Sequence, residues 1–275
     1  MAMKLEKRVN SHGPLRINSG CCGFTLLELL AVMAIVAILA AFLSAALNST
    51  KARANQITCL SNLRQLQIGW FLYTDENDER LPLNKTIDSP NEFIFGRRNS
   101  TDSWVTGNPK EDTGPANIVK GTLFPYIRSI PVYRCPADLS KVIGQKNNLR
   151  TRSYSMSAYM NGDAEGVDPR VKSFASDILA PSPDKVFVMI EEHEASIWSG
   201  AFTVIPKGKF ALASASWTST PSGRHGQGCN LSFADGHMEY WKWLAPKRSN
   251  LNNRSTLNKN ELLDLRRLQE SVPKP

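Results

Sequence analysis

The sequence predicts an α+β protein: one long N-terminal α-helix, transmembrane and then amphipathic, packed on a small antiparallel β-sheet with long loops. Three observations predict it. The run from Phe24 to Leu47 is apolar apart from Glu28, and no proline occurs between Phe24 and Arg80. Beyond Thr50, the residues Ile57, Leu60, Leu63, Leu66 and Trp70 recur at steps of three or four, which marks one face of a helix. Near the C-terminus, Asn230–Ala234 and His237–Trp241 alternate on either side of Asp235-Gly236. That pattern predicts a hairpin closed by a two-residue primed turn, where glycine accepts positive φ cheaply.

The first helix is expected from about Phe24 to about Thr74. Its first 24 residues, at about 1.5 Å each, can span a hydrocarbon core of about 30 Å. Lys51, Arg53, Gln56, Arg64 and Gln67 fall largely on faces other than the apolar one. Asp75-Glu76-Asn77-Asp78-Glu79 opposes the helix dipole and ends the element, and Leu81-Pro82 starts extended chain. Residues 84–121 are rich in Asn, Asp, Gly and Pro and read as long loops. Leu123–Ile127 reads as a helical turn and Ser153–Met160 as a strand. Lys185–Glu191 is the best buried strand, β-branched and apolar, with Pro181 and Pro183 at its start. Residues 260–269, with Leu262, Leu263, Leu265 and Leu268, read as a short amphipathic helix.

A length of 275 residues suits one or two domains. Residues 1–23 hold Lys4, Lys7, Arg8 and Arg16 against Glu6, so +3 of the net +8 lies before the apolar run. Positive charge there predicts a single-pass protein with a cytoplasmic N-terminus and an exported remainder, although Lys51 and Arg53 just beyond the span pull the other way. An ordinary secretory signal has an apolar region of about 7–15 residues, shorter than this one. Neither a signal peptide nor a plain anchor explains Glu28, because a carboxylate within the bilayer costs about 2.5–3.5 kcal/mol.

The residues Gly23-Phe24-Thr25-Leu26-Leu27-Glu28 resemble the class III signal of type IV pilins and type II secretion pseudopilins. The resemblance implies that a prepilin peptidase and N-methyltransferase cleaves between Gly23 and Phe24 and methylates the Phe24 amine. It implies that Glu28 then pairs with the N-terminus of a neighbouring subunit. The chain would divide into a cleaved leader (1–23), a transmembrane and assembly helix (24–47), and a pilin-like domain (48–275). That domain would include the hairpin at 229–243 and lie in the periplasm or outside the cell. Partners would be the peptidase, other pilin or pseudopilin subunits, and inner-membrane lipid. His225 and Asp235-Gly236, with nine residues between His225 and Asp235, resemble a His-x9-Asp-Gly signature of a large group of prepilin-like proteins.

Loss of the leader would remove Cys21 and Cys22, reduce the charge from +8 to +5, and leave Cys59, Cys135 and Cys229. An oxidising compartment allows a disulfide. Similar pseudopilin-like proteins carry cysteines in a helix and in a loop of this kind, so the resemblance favours a Cys59–Cys135 bridge with Cys229 left over. The three cysteines lie far apart without metal-ligand spacing, which argues against zinc. No cofactor and no metal is expected. Calcium is the one ion to consider, since major pseudopilins hold it with loop carboxylates and carbonyls. Asp75, Asp78, Asp102, Asp112 and Asp163 are the loop candidates here, but they form no Asp-x-Asp-x-Asp run.

His225, Asp235 and His237, with Ser222 or Ser232 as nucleophile, are the catalytic alternative. No Gly-x-Ser-x-Gly elbow accompanies them, and Asp235 has a sufficient role in the turn. The expectation is therefore a non-enzyme. His193, within Glu191-Glu192-His193-Glu194, offers a further cation site, against a reading as solvated charge at a strand end. Lys247, Arg248, Arg254, Arg266 and Arg267 read as a solvated basic tail, so no nucleic acid is expected. The function these readings support is a structural subunit of a type II secretion pseudopilus or a type IV pilus-like filament. The alternative is a membrane-anchored surface module that does not polymerise and binds carbohydrate or cargo through Trp104, Trp198 or Trp217.

Overall fold

A computed structural model describes residues 25–88, 97–207, 215–247, 254–256 and 258–275. The chain divides into two compact units, Met1–Asn48 and Ser49–Pro275. Helix α1 runs over Leu26–Glu76. Within the first unit, Leu26–Leu43 has a mean hydropathy of 2.8 and is long and apolar enough to cross a membrane. Its side chains are exposed, Leu26 at 82% and Phe42 at 73%.

In the second unit α1 buries Cys59, Leu63, Leu66 and Trp70. The expected face is thus shifted: Leu60 is half-buried and Ile57 is 68% exposed. The helix takes in Asp75 and Glu76, two residues past the expected end, and Tyr126 Oη donates to Glu76 Oε2 at 2.8 Å. It stops because Asp78 and Glu79 adopt positive φ.

The main sheet has five strands in the order β5-β3-β4-β7-β8. They are β3 (Tyr154–Ser157), β4 (Phe187–Glu191), β5 (Ala201–Phe202), β7 (Gly228–Phe233) and β8 (Met238–Lys242). All pairings are antiparallel except β3 with β5, which is parallel. Two short antiparallel pairs accompany it: β1 (Thr86–Asp88) with β2 (Arg97–Asn99), and β6 (Ser216–Trp217) with β9 (Arg254–Ser255). The sheet has a core on each face. One holds Cys59, Leu63, Leu66 and Trp70 of α1 with Tyr154, Met156, Val188 and Met189. The other holds Phe187, Ile190, Leu231, Phe233 and Trp241 with Leu265 and Leu268 of the C-terminal helix. A register shift between Phe187 and Met189 breaks strict alternation in β4.

Residues 84–121, expected as loops, contain β1, β2 and the helix α2 (Ala116–Val119). Long-range bonds order them: Trp104 Nε1 donates to Asn84 Oδ1 and to the Gly200 carbonyl, and the Arg152 guanidinium donates to the carbonyls of Thr106 and Gly107. The expected helical turn is α3 (Phe124–Ile127). The hairpin forms, but with a three-residue loop, Ala234-Asp235-Gly236, rather than two. Phe233 N–H donates to His237 O and Gly236 N–H to Phe233 O, with Gly236 at φ +96°. A turn followed by a left-handed glycine is the next commonest hairpin solution.

Helix α4 (Lys259–Glu270) is capped by Asn258 Oδ1, which accepts from Glu261 N at 3.0 Å. Its Asp264 accepts from Leu244 N, Ala245 N and Lys247 Nζ, the last at 2.6 Å with both side chains buried. Lys247 is therefore not part of a solvated basic tail, while Arg248 lies outside the described residues.

Candidate functional site

Among the described residues, two places bear on the sequence-predicted sites. The first is the start of α1. Gly23 and Phe24 lie outside the described residues. Thr25 Oγ1 accepts from Glu28 N at 3.2 Å, and Glu28 Oε2 accepts from Thr25 N and Thr25 Oγ1 at 2.9 Å each. This is a capping box, in which residues three apart satisfy each other's free groups at a helix start. Within a single chain the Glu28 carboxylate therefore already has local donors. The Thr-x-x-Glu spacing that signals it was legible in the sequence.

The second place lies between α1 and the sheet. Cys59 comes from α1, Cys135 from the loop after the turn Ile130–Tyr133, Glu191 from the end of β4, and His225 from the loop before β7. Their ligand atoms all lie within 4.8 Å of one another, and all four residues are buried. Cys59 Sγ donates to Glu191 Oε1 at 2.7 Å and meets Tyr154 Oη at 2.9 Å. His225 Nε2 lies 3.3 Å from Cys135 Sγ and 3.2 Å from Glu191 Oε2. Asn230 donates to Glu191 Oε1 from both its backbone N–H and its Nδ2.

The electrostatics follow from this packing. Burial, then the hydrogen bond to Cys135 and the Glu191 charge, pushes the Cys59 thiol well above its ordinary value. The Cys59 hydrogen bond, and after it that of His225, outweighs burial and holds the Cys135 thiol down at about 6. Burial opposes the His225 imidazolium, but hydrogen bonds to Cys135 and Glu191 outweigh it and raise His225 to about 9. The cluster thus favours a Cys135 thiolate beside a charged His225.

The expected disulfide partners are neighbours, and in this structure Cys59, Cys135 and Cys229 are free thiols. His225 and Asp235 do not act together. His225 faces Cys135 and Glu191, whereas Asp235 Oδ1 accepts from His237 N and contacts His237 Nδ1 at 2.6 Å in the hairpin turn. Glu191 and Glu192, read as solvated, are buried and diverge. Glu191 turns to Cys59, while Glu192 accepts from Ser155 Oγ and Ser196 Oγ at 2.6 Å each, and burial raises its pKa to about 7. His193 Nε2 lies 3.7 Å from Glu194 Oε1, and its Nδ1 accepts from Ala195 N at 3.1 Å. Of the calcium candidates, Asp75 sits in α1 rather than in a loop, and Asp112 is buried and bonded to Asn117. Trp104 and Trp217 are fully buried and cannot stack on a sugar, and Trp198 carries Lys110 Nζ over its ring at 3.1 Å.

A long N-terminal helix with an exposed apolar start, followed by an α+β body with antiparallel strands, defines a pilin-like fold. Residues 18–44 match the prokaryotic N-terminal methylation motif, in keeping with this architecture. No curated protein and no solved structure matches the chain.

Proposed function

We propose that the protein is a non-enzymatic filament subunit, a pseudopilin or minor pilin-like component of a type II secretion pseudopilus or a type IV pilus-like filament. The methylation motif at 18–44 carries this reading, because its chemistry has a purpose only at the amine exposed by cleavage. A prepilin peptidase cuts between Gly23 and Phe24, and the methylated Phe24 becomes the first residue. The exposed apolar surface of Leu26–Leu43 first sits in lipid and then packs against the same segment of other subunits. The positive charge before this segment and the Gly23 cleavage site support a cytoplasmic leader and an exported body. His225 and Asp235 then serve the fold of the body rather than a reaction.

Mass spectrometry of the membrane-extracted protein, with crosslinking in native membranes, tests this reading. The expected result is a chain beginning at N-methylated Phe24 and a ladder at multiples of the subunit mass. An intact leader, or a strictly monomeric crosslinking pattern, overturns it.

A further inference from the structure

We propose that Cys59, Cys135, Glu191 and His225 form a closed structural site for one zinc ion, joining α1 to the body of the protein. The donor set suits it: two sulfurs, one imidazole nitrogen and one carboxylate oxygen are borderline-soft ligands of the kind zinc selects. The size also suits it. In a tetrahedron with bonds of about 2.0–2.3 Å, donor atoms sit about 3.3–3.8 Å apart. Here Cys135 Sγ to His225 Nε2 is 3.3 Å, His225 Nε2 to Glu191 Oε2 is 3.2 Å, and all four donors fall within 4.8 Å.

A disulfide accounts for less of the site. A Cys59–Cys135 bridge would engage neither Glu191 nor His225. Glu191 is fully buried, and its Oε2 is aimed into the cluster, where it shares the His225 Nε2 3.2 Å away with Cys135. His225 Nε2 faces both that oxygen and Cys135 Sγ, and one ring nitrogen cannot donate along both directions at once. A cation at the centre satisfies every one of these atoms. The surrounding groups fit the same purpose, since Asn230 holds Glu191 through Oε1 and leaves Oε2 to face inward.

Ligation needs two thiolates and a neutral imidazole. Zinc entry therefore releases two protons, that of Cys59 and the one held between Cys135 and His225, with no change of oxidation state. Four protein ligands leave no open position, so the ion is structural. It ties together residues 59, 135, 191 and 225, which come from four separate segments.

The experiment uses the mature full-length protein in detergent, reduced and then dialysed against zinc or cobalt(II). One equivalent of metal per chain is expected. Cobalt should give intense tetrahedral visible bands with a thiolate charge-transfer band, and Cys59 and Cys135 should react faster with a thiol reagent once a chelator is added, while the buried Cys229 is unaffected. Cys135→Ser and Glu191→Gln should each weaken cobalt binding more than tenfold, and Asn230→Ala, which removes a donor to a ligand, by about 10–100-fold. The wild-type cobalt spectrum needs no variant to fold. Its absence from the reduced protein overturns the site, as does a Cys59–Cys135 disulfide that, once reduced, leaves a protein indifferent to metal. Unchanged affinity in Glu191→Gln removes the carboxylate ligand. None of these readouts depends on filament assembly.

Discussion

Glu28 has two roles that a single substitution can separate. In one chain it closes a capping box with Thr25; in an assembly it would neutralise a neighbour's Phe24 amine. Gln serves a capping box nearly as well as Glu but carries no charge. If the charge matters, Glu28→Gln and Glu28→Ala should both process normally and both lose most filament assembly, measured by sheared-filament yield. Assembly near wild type in Glu28→Gln would assign the residue to the cap alone. His237 gives a second residue-scale prediction. Burial opposes its charge, but hydrogen bonds to Asp235 and Glu239 outweigh this and raise its pKa above 6.5. The folded state thus holds the proton more tightly than the unfolded one, so the pair's stabilisation is complete below about pH 6.5 and fades as pH rises through the folded value. Both side chains are over a third exposed, so the effect stays below about 1 kcal/mol. Urea midpoints of wild type and His237→Gln should differ most at low pH; a gap independent of pH refutes the pairing. The contrast between these residues shows what a sequence reveals. Thr25 and Glu28 are three apart, so their pairing is written locally. Cys59, Cys135, Glu191 and His225 meet only through the register of β4 and β7 and the docking of α1, which no spacing rule encodes.

At the scale of elements, the same physics decides which parts were legible. A 3.6-residue period located α1 and α4, which each bury one face, alternation around Asp235-Gly236 located the hairpin, and a continuous apolar run located β4, which is buried on both faces. The face of α1 was misplaced by Ile57, since apolar residues also occur on exposed surface. Residues 84–121 were illegible because their order comes from Trp104 and Arg152 bonding to distant carbonyls. The shifted face is testable. Leu66→Ala, which empties a fully buried position, should cost about 2–5 kcal/mol in chemical denaturation. Ile57→Ala, at a position 68% exposed, should change stability by less than about 0.5 kcal/mol. Equal losses would put the buried face back where Ile57 placed it. The join of α4 to the body rests on Asp264. Asp264→Asn would leave Lys247 buried between Trp217 and Trp243, 5.0 Å from each ring centre, without its carboxylate. The expected cost is about 3–5 kcal/mol, and Asp264→Asn with Lys247→Met should recover most of it. A double variant no better than the single one would show that the backbone bonds from Leu244 and Ala245, not the ion pair, carry the effect.

For the whole molecule, the division at Asn48 and Ser49 separates two solvents. Up to that point the exposed side chains are almost all apolar, from Leu26 at 82% to Leu47 at 60%, a surface stable only in lipid or against other helices. From Ser49 onward both cores are internal: the part of α1 they need begins at Cys59, and α4 closes the far face. A fragment starting at Ser49 should therefore fold by itself, remain soluble without detergent and unfold in a single cooperative transition. It should also keep Cys59, Cys135, Glu191 and His225 together, and so respond to zinc as the full chain does. Ile57, Ile68, Phe71 and Leu72 of α1 stay exposed in this fragment, which gives the experiment its second outcome. A soluble monomer confines the membrane and assembly contacts to the segment before Ser49. A fragment that sediments with membranes, or self-associates until Ile68 and Phe71 are changed to polar residues, would extend the assembly surface along the outer side of α1 into the second unit.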